Sequence, residues 1–324
     1  MPIARRPWRS SISSLLTAIA PCRRPSGARA KRVAETAARR TGRLAVIAGS
    51  GMLPVFVAEA ARAAGENPFV FRLKNEADQR FEAFEGVPIG VGDMAGLSAL
   101  LKAKGIGRVV MSGGVRRRPH FGEIHVNLRS ILKLPSALRT LLAGGDDAVL
   151  TMVIKLIEAQ GVDVVGAQEI APGLLATTGP LGAHRPSDED RRDIQAAAKA
   201  AEVLGRLDVG QGAVSVGGRI VALEGVEGTD RMLKRVADLR SEGRISSRRK
   251  GVLVKLCKPQ QDVRADLPTV GLSTVAEASH AGLAGIAVES GRALIIERDA
   301  MLAAADAAGL FVCGIDLGLP GELM

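Results

Sequence analysis

The sequence predicts an α/β protein in which an N-terminal doubly wound parallel-sheet domain precedes a mixed α/β C-terminal domain. Three observations support this fold class. Short aliphatic runs alternate with helical patterns, glycine-rich turns follow several of those runs, and aromatic residues make up only 2% of a chain that is 47% hydrophobic. Aliphatic cores of this kind suit parallel sheets that are covered by alanine-rich helices. A chain of 324 residues is long enough for two domains that each bury a core.

The first half of the chain alternates predicted strands and helices. An apolar run at 44–48 leads into a Gly-Ser-Gly turn, and a helix is predicted over 54–64, where the initial proline is tolerated in a first turn. The same alternation then continues. Further strands are predicted at 68–73, 108–112 and 162–165, and further helices at 94–104, 130–142 and 146–160. This order predicts a parallel, Rossmann-like sheet.

The second half of the chain begins with a change of composition. Residues 172–186 are rich in Gly, Pro and Thr, which is typical of a linker. Ser187 is then the predicted cap of a helix that ends near residue 204. Strand pairs around Gly-Gly and Ser-Gly dipeptides predict hairpins at 213–224 and 286–297. The remaining predicted elements are helices at 229–239, 274–281 and 299–308 and strands at 252–256, 268–272 and 310–315.

These patterns divide the chain into four predicted segments. They are a basic extension over 1–41, a Rossmann-like domain over 42–171, the linker over 172–186, and a mixed α/β catalytic domain over 187–324. The extension is rich in arginine and has neither a clear cleavage site nor a core pattern. We therefore expect it to be either disordered or the product of a start codon placed too early.

The net charge of +10 is concentrated in the extension. Residues 1–41 contain ten basic residues and one acid, which gives them a charge of +9 and leaves +1 for the rest of the chain. A nearly neutral globular body lacks the electrostatic footprint of a nucleic-acid-binding protein. We therefore predict that DNA and RNA are not partners of this protein.

The cysteines and the hydropathy indicate where the protein is found. The three cysteines are isolated, so they form neither a zinc-binding nor a redox motif. This usage is typical of a reducing compartment. No apolar run approaches the roughly 20 residues that span a bilayer. We therefore expect a soluble, cytoplasmic protein.

Two glycine-rich turns form the first candidate ligand site. Gly49, Ser50 and Gly51 connect the first predicted strand to its helix, and Gly113 and Gly114 follow another strand. Ligands of doubly wound proteins bind at the carboxyl ends of the strands, where helix N-termini attract anions. Each turn is equally compatible with a purely structural role.

A dinucleotide cofactor is an alternative ligand for this edge of the sheet. The third glycine of the dinucleotide fingerprint is absent, because Pro54 occupies its place. Arg72 and Lys74 follow the second strand, where NAD-binding proteins carry an acid. The two basic side chains keep an NADP-dependent oxidoreductase as an alternative function.

Several polar residues outside these turns are further candidates. Asp147 follows Asp146 at the start of a helix, so one of the two carboxylates can cap the helix and the other can bind a ligand. Gln211 lies between two glycines before the first hairpin. Thr229 and Asp230 open a helix whose first turn could hold a phosphate, although Thr229 also serves as a simple cap.

The most suggestive residues lie near the end of a predicted strand in the second domain. Lys255 and Lys258 flank that end and offer positive charge to a pyrophosphate, unless they are only a solvated edge. Asp266 lies in an irregular segment before the next strand, where no helix cap explains it. A carboxylate in such a position is suited to holding Mg²⁺ or activating water.

Taken together, these segments resemble the LpxI-type UDP-2,3-diacylglucosamine pyrophosphatases. The resemblance runs from about Arg43 to Asp316 at nearly constant spacing and excludes residues 1–41. It is carried by segments 44–54, 145–147, 205–212, 227–230, 255–259 and 264–269, which read LAVIAGSGMLP, GDD, GRLDVGQG, EGTD, KLCKP and RADLPT.

The resemblance implies a specific enzymatic activity. The implied reaction is Mg²⁺-dependent hydrolysis of UDP-2,3-diacylglucosamine to UMP and 2,3-diacylglucosamine 1-phosphate in lipid A synthesis. The key aspartate of the family falls on Asp266, which is then the predicted catalytic and metal-binding residue. The resemblance also implies a homodimer with its substrate between the two domains, and at most peripheral contact with the inner membrane. A non-catalytic protein that binds a UDP-sugar or a lipid is the remaining alternative.

Overall fold

The computed structural model describes residues 42–79, 81–115 and 146–317, all of which belong to one compact unit that begins at Arg39. The extension 1–41 and the helix predicted over 130–142 lie outside the described residues. No helix within the described part of the chain is both long and apolar enough to cross a membrane.

The N-terminal sheet has five parallel strands in the order β3-β2-β1-β4-β5. They are β1 (Arg43–Ala48), β2 (Phe69–Leu73), β3 (Gly86–Ile89), β4 (Ile106–Ser112) and β5 (Asp163–Val165). The accompanying helices are α1 (Leu53–Ala63), α2 (Met94–Ala103), α3 (Asp146–Glu158) and the short α4 (Ala167–Ile170), after which Pro172–Leu174 form a 3₁₀ turn.

Alternating side chains of β1 show that helices cover both faces of this sheet. Val46 packs in one hydrophobic cluster with Val57 of α1. Ala45 faces the other way and packs in a second cluster with Leu97 of α2 and Ile154 of α3. The predicted doubly wound, Rossmann-like arrangement is therefore confirmed.

The C-terminal sheet is mixed and has the order β6-β13-β11-β9-β7-β8. Its strands are β6 (Gly179–Pro180), β7 (Gly212–Val216), β8 (Arg219–Leu223), β9 (Val252–Lys255), β11 (Gly285–Glu289) and β13 (Phe311–Ile315). A separate two-stranded parallel sheet joins β10 (Thr269–Val270) to β12 (Leu294–Ile295). The helices are α5 (Asp188–Arg206), α6 (Thr229–Ser241), α7 (Leu272–His280) and α8 (Arg298–Ala307).

The start of α5 is specified by its own sequence. The Ser187 backbone N–H donates to Asp190 Oδ2 over 2.9 Å, and the Asp190 N–H donates to Ser187 Oγ over 3.3 Å. This reciprocal pair is a capping box, and it satisfies two donors that the first turn leaves without intrahelical partners. The predicted cap at Ser187 is therefore confirmed.

One of the two predicted hairpins is wrong. The 213–224 hairpin forms as β7 and β8. The 286–297 hairpin does not form, because β12 pairs in parallel with β10 and not with β11. The backbone N–H groups of Ser290 and Gly291 donate to Ile315 and Ala176, so neighbouring segments hold the turn and direct the chain out of the sheet. The strand predicted over 268–272 is also shorter, since α7 already begins at Leu272.

The two sheets are connected by a shared hydrophobic cluster. Val46 and Ala58 of the N-terminal part pack in one cluster with Cys257, Leu267 and Leu294 of the C-terminal part. The segment that contains the predicted aspartate is thus packed against the N-terminal sheet and is not a free surface loop. The predicted linker also contributes β6 to the C-terminal sheet.

Asp193 of α5 fixes the hairpin turn between β7 and β8. Its carboxylate accepts hydrogen bonds from the Ser215 hydroxyl (2.6 Å) and from the N–H groups of Gly217 (3.0 Å) and Gly218 (2.6 Å). Because Asp193 is only 4% exposed, Asp193→Ala would leave these donors without their acceptor. We expect a loss of about 2–4 kcal/mol in the free energy of unfolding, measured by chemical denaturation.

The matched control for this prediction lies in the same helix. The Asp188 side chain is fully exposed, and its contact with Arg191 is a 3.8 Å ion pair on the surface. Asp188→Ala should therefore change the stability by about 0.5 kcal/mol or less. Equal stabilities of the two variants would show that Asp193 does not hold the turn.

Candidate active site

A cavity of about 230 Å³ lies between the two predicted glycine turns and the segment around Asp266. It is lined on one side by Ser50, Gly51, Gly113 and Gly114 and on the other side by Asp266. The strand order reverses between β1 and β4, so the carboxyl ends of these two strands are neighbours. Ligands of doubly wound sheets bind at such a switch point. The structure thus brings together five of the residues that were selected from sequence.

The two glycine turns are bonded to each other. Ser50 N–H donates to Gly114 O over 2.8 Å, and Gly114 N–H donates back to Ser50 O over 3.0 Å. Gly49 packs directly beside them, because a Cβ atom placed on it would lie 2.4 Å from Gly114 O. The close approach of the two backbones explains the glycines at these positions.

Most N–H groups of these turns already have protein acceptors. Those of Ser50 and Gly114 bond to each other's turn, and that of Gly51 donates to Asp78 Oδ1 over 2.9 Å. Anion donors on this side of the cavity are instead expected at Met52 and Leu53, which line it at the start of α1. N–H groups in the first turn of a helix have no partner within the helix.

Asp266 is exposed and is held by its own segment. Its Oδ2 accepts a 2.6 Å hydrogen bond from Gln261 Nε2, and its backbone N–H donates to Asp262 O over 3.3 Å. The 93% buried Gln261 anchors this contact. The segment therefore presents the Asp266 carboxylate at the cavity wall in a defined orientation.

Arg264 contributes a guanidinium to the same wall, where two carboxylates hold it in place. Its guanidinium donates to both carboxylate oxygens of Asp262, at 2.9 Å and 2.7 Å, and to Glu158 Oε1 at 2.7 Å. The hydrogen bonds that Arg264 donates to Asp262 lower the pKa of Asp262 and raise the pKa of Arg264. Both groups are thus charged at neutral pH, and Arg264 also bridges the segment to α3.

Two further polar residues line the cavity and were missed in the sequence. Ser112 is 6% exposed at the end of β4, and neither its Oγ nor the buried Gln168 Oε1 has a hydrogen-bond partner among the described residues. A polar residue that ends a buried strand was the available signal for Ser112. Gln168 carried no such signal, since it belongs to a short helix that was not predicted.

Thr229 and Asp230 line a second cavity of about 350 Å³. The N-termini of α6 and α7 meet there, and Gly271 lies at the start of α7. This cavity shares Thr269 and Ile296 with the first one, so the two adjoin along a common wall. A ligand larger than either cavity could extend from one into the other.

Four of the other predicted residues line neither of these cavities, namely Gly49, Gln211, Lys255 and Lys258. Lys255 is 6% exposed and donates from Nζ to Thr269 O over 3.2 Å. Lys258 forms a 2.7 Å ion pair with Asp208. The backbone of Gln211 accepts from Leu256 N–H over 2.9 Å. The side chain of Asp147 lies outside the described part of the structure.

Among the described residues that line this cavity there is no cysteine for thiol catalysis, and neither of the two basic side chains that suggested a dinucleotide. Burial raises the pKa of Cys257 to about 11 and that of Cys313 to about 12, so both thiols are protonated at neutral pH and are poor nucleophiles. Arg72 and Lys74, which motivated the dinucleotide alternative, line neither cavity. The lining of the first cavity includes a guanidinium, which can donate to phosphate oxygens, and a carboxylate, which can act on a phosphate only through a metal ion or a water molecule.

A divalent cation fits this site only if the ligand completes its coordination. Within the described ranges, no cluster of three or more His, Cys, Asp or Glu side chains could hold a metal ion. Mg²⁺ is commonly held by one or two carboxylates together with substrate phosphates and water. The Asp266 carboxylate at the cavity wall can serve as the single protein ligand in such an arrangement.

The fold and the cavity define a two-part α/β protein with a polar-lined cavity at the switch point of its N-terminal sheet. Sequence models of the LpxI N-terminal domain and the LpxI C-terminal domain match residues 43–174 and 177–313. A relative from Caulobacter vibrioides, named UDP-2,3-diacylglucosamine pyrophosphatase LpxI, is 42% identical over 276 residues, which cover 85% of this chain and 98% of the relative. The chain belongs to the LpxI family, which confirms the resemblance found in the sequence.

Proposed function

We propose that this protein hydrolyses the pyrophosphate bond of UDP-2,3-diacylglucosamine, releasing UMP and 2,3-diacylglucosamine 1-phosphate for lipid A synthesis. The observation that carries the proposal is the cavity in which Asp266 faces the paired glycine turns. The name of the Caulobacter vibrioides relative supplies the substrate. Because the relative is matched along nearly its whole length, the comparison includes both walls of the cavity.

The reaction requires charge stabilisation and an oriented water molecule. The water oxygen forms a bond to one phosphorus, the bridging P–O bond breaks, and the departing phosphate carries the negative charge. We propose that Asp266 orients the water or accepts its proton. The N–H groups of Arg264 that do not bond to Asp262 or Glu158 would then donate to phosphoryl oxygens. Such preorganised groups stabilise a transition state more than they stabilise the ground state.

We propose Asp266 as the protein ligand of Mg²⁺, with substrate phosphates and water completing the coordination. When bound, the ion would neutralise developing charge on the pyrophosphate. The described carboxylates alone form no complete metal site. We therefore expect the ion to bind together with the nucleotide and not to the empty protein.

The acyl chains need apolar surface near the cavity. Met52, Leu53, Met111, Leu294 and Ile296 provide such surface around the polar groups. A cavity of about 230 Å³ is smaller than a typical pocket for a drug-sized ligand, so the substrate must also occupy adjoining space. The second cavity, which contains Thr229 and Asp230, is our candidate for that space. The family membership supports our further proposal of a cytoplasmic homodimer that makes at most peripheral contact with the inner membrane.

The activity is tested by measuring UMP release from UDP-2,3-diacylglucosamine by the full-length protein, with and without Mg²⁺. We expect turnover with Mg²⁺ and loss of turnover when EDTA is added, restored by excess Mg²⁺. UDP-N-acetylglucosamine, which lacks the two acyl chains, serves as the control substrate and should be cleaved poorly. Retention of intact substrate without any UMP release would favour a binding protein and contradict the proposed hydrolase.

A further inference from the structure

We propose that Gln261 is a positioning residue for the hydrolytic reaction, because its amide fixes the orientation of the Asp266 carboxylate. The Gln261 Nε2 donates to Asp266 Oδ2 over 2.6 Å. Asp266 is exposed at the cavity wall, whereas Gln261 is only 7% exposed behind it. The inference rests on the proposed function and adds a residue that holds the proposed catalytic carboxylate from behind.

The hydrogen bonds around Gln261 leave its amide only one orientation. Its Oε1 accepts from the Lys258 backbone N–H over 3.3 Å and from the Cys257 thiol over 3.5 Å. If the amide were flipped, its NH₂ group would face the Lys258 N–H donor and its oxygen would face a carboxylate oxygen. The network therefore turns the donor end of Gln261 toward Asp266.

The backbone that supports Gln261 is itself anchored. The Cys257 N–H donates to Glu289 Oε2 over 2.9 Å, and Glu289 Oε1 forms a 3.0 Å ion pair with Arg292. Arg292 also contacts the Cys257 sulfur at 3.3 Å. Buried, mutually satisfied groups of this kind rigidify a site, and a carboxylate held in this way loses little freedom when the substrate binds. Gln261 thus connects the end of β9 to the cavity wall.

Gln261→Glu is the most direct test, because it keeps the size of the side chain and the acceptor that faces Lys258. It replaces the donor that faces Asp266 by an oxygen. We expect kcat for UMP release to fall by about 10–100-fold, as is typical when an outer partner of a catalytic ligand is lost, with KM changed by less than about threefold. Gln261→Met, which lacks both hydrogen-bonding groups, should likewise lower kcat while KM changes little.

The adjacent Gln260 provides a matched control. Its Nε2 donates to Gly205 O over 2.6 Å and does not contact Asp266. Gln260→Glu also exchanges a bonded donor for an oxygen in the same turn, and it should leave kcat within about threefold of the wild type. Thermal unfolding of both variants then separates a general loss of structure from an effect on the reaction.

A double-mutant cycle decides whether Gln261 acts through Asp266. In an Asp266→Ala background, Gln261→Glu should change the remaining turnover by less than about threefold, because the group it positions is gone. An equal loss in both backgrounds, or wild-type kcat in Gln261→Glu, would overturn the positioning role while leaving the hydrolase assignment intact. Wild-type protein that releases no UMP would instead overturn the proposed function and this role together.

Discussion

Asp266→Ala is expected to lower kcat for UMP release by about 10²–10⁴-fold while substrate binding is retained. The reason is that the Asp266 carboxylate is proposed to act where charge develops on the pyrophosphate, whereas binding rests mainly on apolar surface and on other polar groups. The mutant should co-purify with uncleaved UDP-2,3-diacylglucosamine, which mass spectrometry of the purified protein would detect.

Two comparison variants show whether Asp266 acts in the reaction or only holds its segment together. Asp266→Asn keeps the acceptor for Gln261 and the shape of the side chain, so it should retain the melting temperature and still lose turnover. Asp230→Ala removes a carboxylate from the adjoining cavity and should cost less in kcat. Normal turnover in a stable Asp266→Ala protein would mean that a different aspartate, Asp147 or Asp230, performs the role.

The N-terminal fold was predictable because the sequence patterns that specify its strands and helices are local. Each strand from β1 to β5 except β3 is a mainly apolar run next to a turn or a helical pattern, and parallel sheets bury such runs on both faces. The rule that ligands bind at the carboxyl ends of strands then placed Ser50 and Gly113 at one edge. The structure brings these two residues to the same cavity.

The pairing of β12 was not predictable, because it depends on distant contacts. Ala293–Ile295 with a preceding Ser-Gly dipeptide has all the local features of a hairpin strand. Hydrogen bonds to residues far away in sequence determine the strand pairing instead. The Gly291 N–H donates to Ala176 O, and the Leu294 N–H donates to Pro268 O. Tertiary contacts of this kind override local preference.

The residues of the candidate site were predictable only where the type of a residue and its local sequence indicated a role in the chemistry. Asp266 stood out as a carboxylate without a structural explanation, and the family resemblance supported it. Lys258 carried an equally visible charge, but its partner Asp208 lies 50 residues away, and no local pattern reveals that ion pair. Gln261 and Gln168 were missed because neither lies between glycines as Gln211 does, and their buried partners, or the absence of partners, are not visible in the sequence.

The second large effect is expected for Gly113→Ala, at the contact between the two glycine turns. A Cβ atom there would lie 2.6 Å from Ser50 O and 2.8 Å from Pro54 Cγ, and the φ angle of Gly113 is +87°. The left-handed backbone costs alanine about 1–2 kcal/mol, and relieving the clash costs about 1–3 kcal/mol more. We expect a loss of about 2–5 kcal/mol in the free energy of unfolding.

The displaced turn should also impair UMP release. Ser50 and Gly114 line the cavity on either side of the clash, and a shift of about 1 Å at a reacting centre can lower the rate roughly 100-fold. Gly65→Ala is the matched control: Gly65 has nearly the same φ angle of +85°, but no atom lies within 4 Å of its added Cβ. That variant should lose only the backbone cost and keep its turnover. Equal stability losses in the two variants, with equal turnover, would show that the contact between the turns contributes to neither stability nor catalysis.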